Sequence, residues 1–147
     1  LGDVYKRQQL KTEGKAMSET EIRSLLQEFA SAKRTGDFFL DHGTADFVFI
    51  RPSGNPLDAE GFSAMFQSGD LTVHDSELIA LERLNFHANI AIAVFTMSTN
   101  FTYRGKHNSD TYVATAVLRN IEGEWRFALL QRSAGSTDLL IWKALSD

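Results

Sequence analysis

The stretch TYVATAVLRNIEGEWRFALLQRS, Thr111 to Ser133, decides how this chain is read. Thr111 to Asn120 and Trp125 to Arg132 are rich in β-branched, aromatic and aliphatic residues, and Glu122-Gly123 between them reads as a tight turn. Strands joined so briefly form an antiparallel hairpin. Working backwards, Leu71 to Leu84 and Ile90 to Tyr103 read as two further long strands, with turns at Asn85 to Asn89 and Arg104 to Asn108. The second half is therefore predicted to be a four-stranded antiparallel meander.

The first half has a helical period. Ser18 with Glu21 forms a capping box, and Ile22, Leu25, Leu26 and Phe29 then recur at helical spacing to about Arg34. Gly36 closes that helix, Asp37 caps a short second one from Phe38 to His42, and Gly43 ends it. Asp46 to Arg51 reads as a buried strand, and Pro52-Ser53-Gly54-Asn55-Pro56 as a turn. Asp58 then caps a third helix that carries Phe62, Met65 and Phe66 on one face and stops at Gly69. Ser136 to Ser146 is expected to be a short helix bearing Leu139, Leu140, Trp142 and Leu145, with Trp142 either covering the fold's open end or packing on a neighbouring subunit. Helices followed by strands define an α+β domain. A strongly curved, mostly antiparallel sheet wrapped on three N-terminal helices makes a cone, and a cone of this kind leaves a cavity at its open end.

The chain has 147 residues, the size of one domain, with 43% hydrophobic and 23% charged residues. Eleven phenylalanines against three tyrosines and two tryptophans suit a core or pocket whose rings need no polar partner. With no cysteine, disulfides and thiolate chemistry are excluded, and a cytoplasmic location is expected. A net charge of −4 argues against nucleic acid or an anionic membrane as partner. The opening LGDVYKRQ resembles the translated read-through of a transposon-end sequencing adapter, so residues 1–16 are expected to be a non-native or disordered leader, and 17–147 the domain.

Helix, helix, strand, helix and four long strands in that order resemble the nuclear-transport-factor-2-like superfamily, which includes SnoaL-like polyketide cyclases and ketosteroid isomerases. The segments RTGDFFLDHGTADFVFIRPSG, NFTYRG and TYVATAVLRNIEGEWRFALLQRS carry the resemblance, and FIRPSGNPLDAEGF is most similar to an uncharacterised subgroup. The comparison implies that Arg51 stands where the isomerases carry a general-base aspartate, Phe29 where they carry a tyrosine, and Thr115 where they carry a protonated aspartate. Guanidinium has no lone pair to accept a proton, so steroid-type isomerisation by that route is not expected.

The same comparison implies that Arg51 points into the cone. Alternation then turns Phe47 and Phe49 inward, with Phe95, Met97, Phe101 and Tyr103 on the central strand and Ala128, Leu130 and Arg132 on the last. The polar neighbours Thr96, Ser98, Asn100 and Thr102 would face outward. Guanidinium is a natural clamp for a carboxylate, so Arg51 and Arg132 become candidate contacts for a small, partly apolar anion. The competing expectation is an internal ion pair with Asp46, Asp110 or a glutamate. LLQRSAG is also similar to the closing strand of the kinase-association domain of calcium/calmodulin-dependent kinase II, whose arginine lies in the cavity of an assembly module. Asp110, Tyr112 and His42 are the candidate proton-transfer groups. No histidine pair has the spacing of a metal site, and neither a metal nor a cofactor is expected. Self-association as a homodimer through the outward sheet face is the remaining expectation.

Overall fold

Arg104 and Gly105 both have positive φ (48° and 81°), as do Glu122 and Gly123 (54° and 86°), in the computed structural model, which describes residues 2–134. Two successive left-handed residues match the right-handed twist of the flanking strands. They join β4 (Ile90–Tyr103) to β5 (Lys106–Ile121) and β5 to β6 (Glu124–Arg132). Ahead of them lie β1 (Gly43–Ile50), the two-residue β2 (Pro56–Leu57) and β3 (Leu71–His87). The strand order is β2-β1-β6-β5-β4-β3, antiparallel throughout except where β1 runs parallel to β6. Pro56 is tolerated because it sits in the outermost strand, where its missing N–H faces no partner.

Three register shifts along β3 put its 17 residues opposite the 14 of β4. Each shift bends the strand and increases its twist, so the sheet curls over the helices. These are α1 (Gly2–Ala30), α2 (Phe38–His42) and α3 (Ala59–Gln67). The core inside the curl is a phenylalanine cluster. Phe39 stacks on Phe47 at 4.1 Å and meets Phe62 and Phe127 edge-on, while Phe29 packs against Phe38, Phe39 and Phe95.

Several boundaries differ from the sequence expectation. Ser18 does not cap α1; the helix runs through it from Gly2, and Thr20 Oγ1 donates to the Ala16 carbonyl. The buried turns from Ile22 to Ala30 anchor the helix, and the exposed residues before them extend it with good helix formers. Asp37 precedes α2 without a side-chain cap, because its carboxylate accepts from Ser63 Oγ on α3 at 2.5 Å. Asp58 does cap α3, accepting from the Gly61 amide at 2.7 Å. Ala128 was expected inward, but it occupies a bulge in β6: Leu129 pairs with Val117 and Phe127 with Leu118. The extra residue shifts the alternation, so Trp125 and Phe127 are buried before it, and Leu130 after it. The expected C-terminal helix and Trp142 lie outside the described residues. No helix among the described residues is long and apolar enough to cross a membrane.

Candidate functional site

Three arginines reach a cavity of about 320 Å³ at the open end of the curled sheet. Phe29, Phe49, Phe62, Met65, Phe101, Tyr103 and Tyr112 supply most of its wall, with Leu71, Val73 and Thr99 along the β3–β4 side. Asp110 is the one carboxylate residue among the described lining residues.

Arg132 closes β6, and its Nη2 lies 3.2 Å from Asp110 Oδ2, with the two side chains 12% and 24% exposed. Its guanidinium also lies 3.7 Å from the centroid of the Tyr112 ring, and Phe101 is on a further side at 5.8 Å. Tyr112 donates in turn to Met97 Sδ at 3.5 Å. Arg132 is thus neutralised by a carboxylate of its own chain and held between rings.

Arg51, at the end of β1, has no such partner. Its Nε donates to the Asn55 carbonyl at 3.1 Å, across the turn that carries Pro52 and Ser53, and Nη1 lies 3.9 Å from Met65 Sδ. Arg34 lies deeper, in the 31–37 connection after α1. Its Nε donates to the Phe29 carbonyl, and its guanidinium lies 4.7 Å from the Phe29 centroid and 5.3 Å from those of Phe62 and Phe66. Its Nη1 is buried with no hydrogen-bond partner among the described residues. Burial lowers the Arg34 pKa to about 10, with the Tyr112 phenol acting in the opposite direction. Gly36 lets the connection approach α3 this closely, because a Cβ there would stand 2.8 Å from Phe66 Cβ. Neither Arg34 nor Arg51 forms an ion pair among the described residues.

The residues singled out from sequence therefore divide. Phe49, Arg51, Phe101, Tyr103, Asp110, Tyr112 and Arg132 all line the cavity. Phe47, Phe95 and Met97 are buried in the core and are not among its lining residues. His42 is also outside the lining: its Nε2 lies 3.5 Å from Glu28 Oε1, and its ring packs on Phe38. Asp46 pairs with Arg119 at 2.7 Å and accepts from Thr44 Oγ1, which together hold its carboxyl below the ordinary value of 3.8. Sequence reasoning missed Arg34, which it placed at a helix end. The usable signal was its position one helical turn and a half beyond Phe29, just before the Gly36 break. The fold also brings His74 and His107 side by side, ring centroids 5.9 Å apart, although sequence spacing separates them; no cluster of three metal-ligating side chains occurs among the described residues.

A family model described as "Protein of unknown function (DUF3804)" matches residues 17–143. An NTF2-like protein of unknown function from Prochlorococcus sp. NATL2A is 47% identical, with a TM-score of 0.79 over 85% of this chain and 98% of the other. Two distant structures share the fold alone. One is a candidate calcium/calmodulin-dependent kinase II association domain from Exiguobacterium sibiricum, at TM-score 0.70 and 12% identity, over 82% of this chain and 95% of that one. The other is a ketosteroid isomerase-like protein from Erwinia carotovora, at 0.63 and 16%, over 82% and 94%. No curated protein matches the sequence.

Proposed function

The chain belongs to the DUF3804 family and has the NTF2-like fold, and from that premise we propose that its cavity binds a small, partly apolar anion. One observation carries the reading: two guanidinium groups, those of Arg34 and Arg51, enter an aromatic cavity with no carboxylate partner among the described residues. An enclosed cation with an unsatisfied donor is costly unless a counter-ion completes it. Forked N–H donors suit a carboxylate, and the surrounding rings suit a hydrocarbon body. The cavity volume lies at the lower end of small-molecule sites.

In this reading Arg34 and Arg51 contact the acid, while Phe49, Phe101 and Tyr103 enclose the apolar part. Arg132 takes a supporting role, because Asp110 already neutralises it. Should the site turn over its ligand, Asp110 and Tyr112 are the groups placed to move a proton, and arginine would stabilise a developing enolate. Calorimetric titration with phenylacetate and its amide tests the anion requirement. The carboxylate is expected to bind and the amide to bind at least about tenfold more weakly, the scale of one charge-assisted contact. Equal binding of the two would end the reading.

The second reading, self-association, has its own support. Alternation along β4 turns Ala91, Ala93 and Phe95 into the core, leaving Ile90, Ile92 and Val94 on the outward face beside Val117 and Thr115 of β5. That apolar patch continues toward Ser98, Asn100 and Thr102, while Thr96, expected to face outward, is fully buried and donates to Glu82 Oε1, and a homodimer related by a two-fold axis would cover the patch. A cytoplasmic setting accords with the cysteine-free composition.

A further inference from the structure

With no cysteine in the chain, its three methionines carry all the side-chain sulfur, and the structure sorts them. Met17 is 74% exposed on α1 and is not among the cavity's lining residues. Met97 is 1% exposed in the core, with its sulfur accepting from Tyr112. Met65 alone of the three lines the cavity: it is half-buried, and its Sδ lies 3.9 Å from Arg51 Nη1. We propose that Met65 is an oxidation site, converted to the sulfoxide by hydrogen peroxide, and that the sulfoxide oxygen takes Arg51 and closes the cavity to anions. The closing rests on the anion-binding reading above.

The step balances without any further reagent. A sulfur lone pair attacks one oxygen of the peroxide and the O–O bond breaks. The departing hydroxide takes the proton of the transferred oxygen, which leaves sulfoxide and water. Sulfur loses two electrons and the peroxide gains them. A guanidinium beside the sulfur stabilises the negative oxygen that develops. The product changes what Arg51 touches. A thioether is a weak acceptor, and 3.9 Å is a long contact even for sulfur. The sulfoxide oxygen is a strong acceptor, and one bond out from sulfur it comes within a hydrogen-bond distance of about 2.7–3.2 Å of a donor. Arg51 Nε already donates to the Asn55 carbonyl, so this bond draws on the terminal nitrogens that an incoming acid needs. Oxidation also turns an apolar wall residue into a polar one.

The test treats the full chain with hydrogen peroxide, maps its peptides by mass spectrometry, and titrates it calorimetrically with phenylacetate before and after. Met65 should be converted along with the exposed Met17 and ahead of the buried Met97. Phenylacetate affinity should fall at least about tenfold, the scale of one charge-assisted contact. Methionine sulfoxide reductases acting on both epimers should restore it. M65L, a volume-conserving change, should keep after peroxide whatever affinity it has before, although its Met17 is oxidised too. Met65 still reduced when Met17 is fully converted overturns the proposal. So does a Met65-oxidised chain that binds as tightly as the untreated one, or an M65L chain that loses affinity on oxidation as the wild type does. Should M65L fail to fold, the reductase decides: affinity that stays low once Met65 is a thioether again overturns the proposal. An untreated chain that does not bind phenylacetate overturns the anion reading and the closing with it, while the peptide map decides the oxidation site by itself.

Discussion

At the residue scale, Arg34 and Arg132 show how one side chain can be settled or unsettled by its surroundings. Arg132 was read either as a ligand contact or as half of an internal ion pair, and Asp110 lies 3.2 Å from it while Tyr112 covers its face. Asp110→Asn strands that cation, and should cost about 1–3 kcal/mol in urea unfolding, discounted from a fully buried pair because Asp110 is 24% exposed. Adding Arg132→Gln should restore part of the loss, and a double variant no better than the single one would contradict the pairing. Arg34 behaves oppositely. Replacing it with Met removes a charge that no carboxylate among the described residues compensates, so unfolding stability should hold or rise by up to about 2 kcal/mol while anion binding disappears. A loss above that size would make Arg34 a structural residue.

Asp46 supplies a pH dependence. The Thr44 hydroxyl, then Arg119, lower its folded pKa below 3.8. A depressed acid contributes stability that is present above its ordinary pKa and is lost as pH falls through the folded value. The wild type should therefore exceed Asp46→Asn in urea midpoint near neutrality, and the gap should close below that 3.8. A gap that stays constant into acid would refute the assignment.

At the element scale, the connection between α1 and α2 is the part that shapes the site. Gly36 touches α3 so closely that an added methyl group meets Phe66 Cβ, the fixed base of a side chain. Gly36→Ala should cost about 1–3 kcal/mol by overpacking and should weaken anion binding, because it displaces the segment that holds Arg34. Intact affinity with reduced stability would separate the two effects and uncouple Gly36 from the site. The helix boundaries around it were mostly legible. Asp58 reads as a cap and acts as one; Asp37 reads as a cap but is drawn to Ser63, a partner 26 residues away that local sequence cannot reveal. Likewise, the four long strands follow from their composition, but the bulges in β3 and at Ala128 do not. A bulge depends on which partner residue is skipped, and that partner is on another strand.

For the whole molecule, the outward face of β4 and β5 is where association would occur. Ile92→Lys, facing Val117 across the strand pair, should convert a dimer to a monomer in light scattering on a sizing column, while the cavity keeps its ligand. A wild-type chain that is monomeric at high concentration would remove the self-association reading and leave ligand binding untouched.

Sequence by itself determined the α+β class and the meander, features that depend on period, turn chemistry and residue type, which are local properties of the chain, whereas the inward direction of Phe49, Arg51, Phe101 and Tyr103 was implied by the family resemblance. Only the tertiary structure decided which arginine is neutralised and which is left charged. That depends on whether a carboxylate lies within a few ångströms, and Asp110 reaches Arg132 from a different strand while no acid of the described chain reaches Arg34 or Arg51.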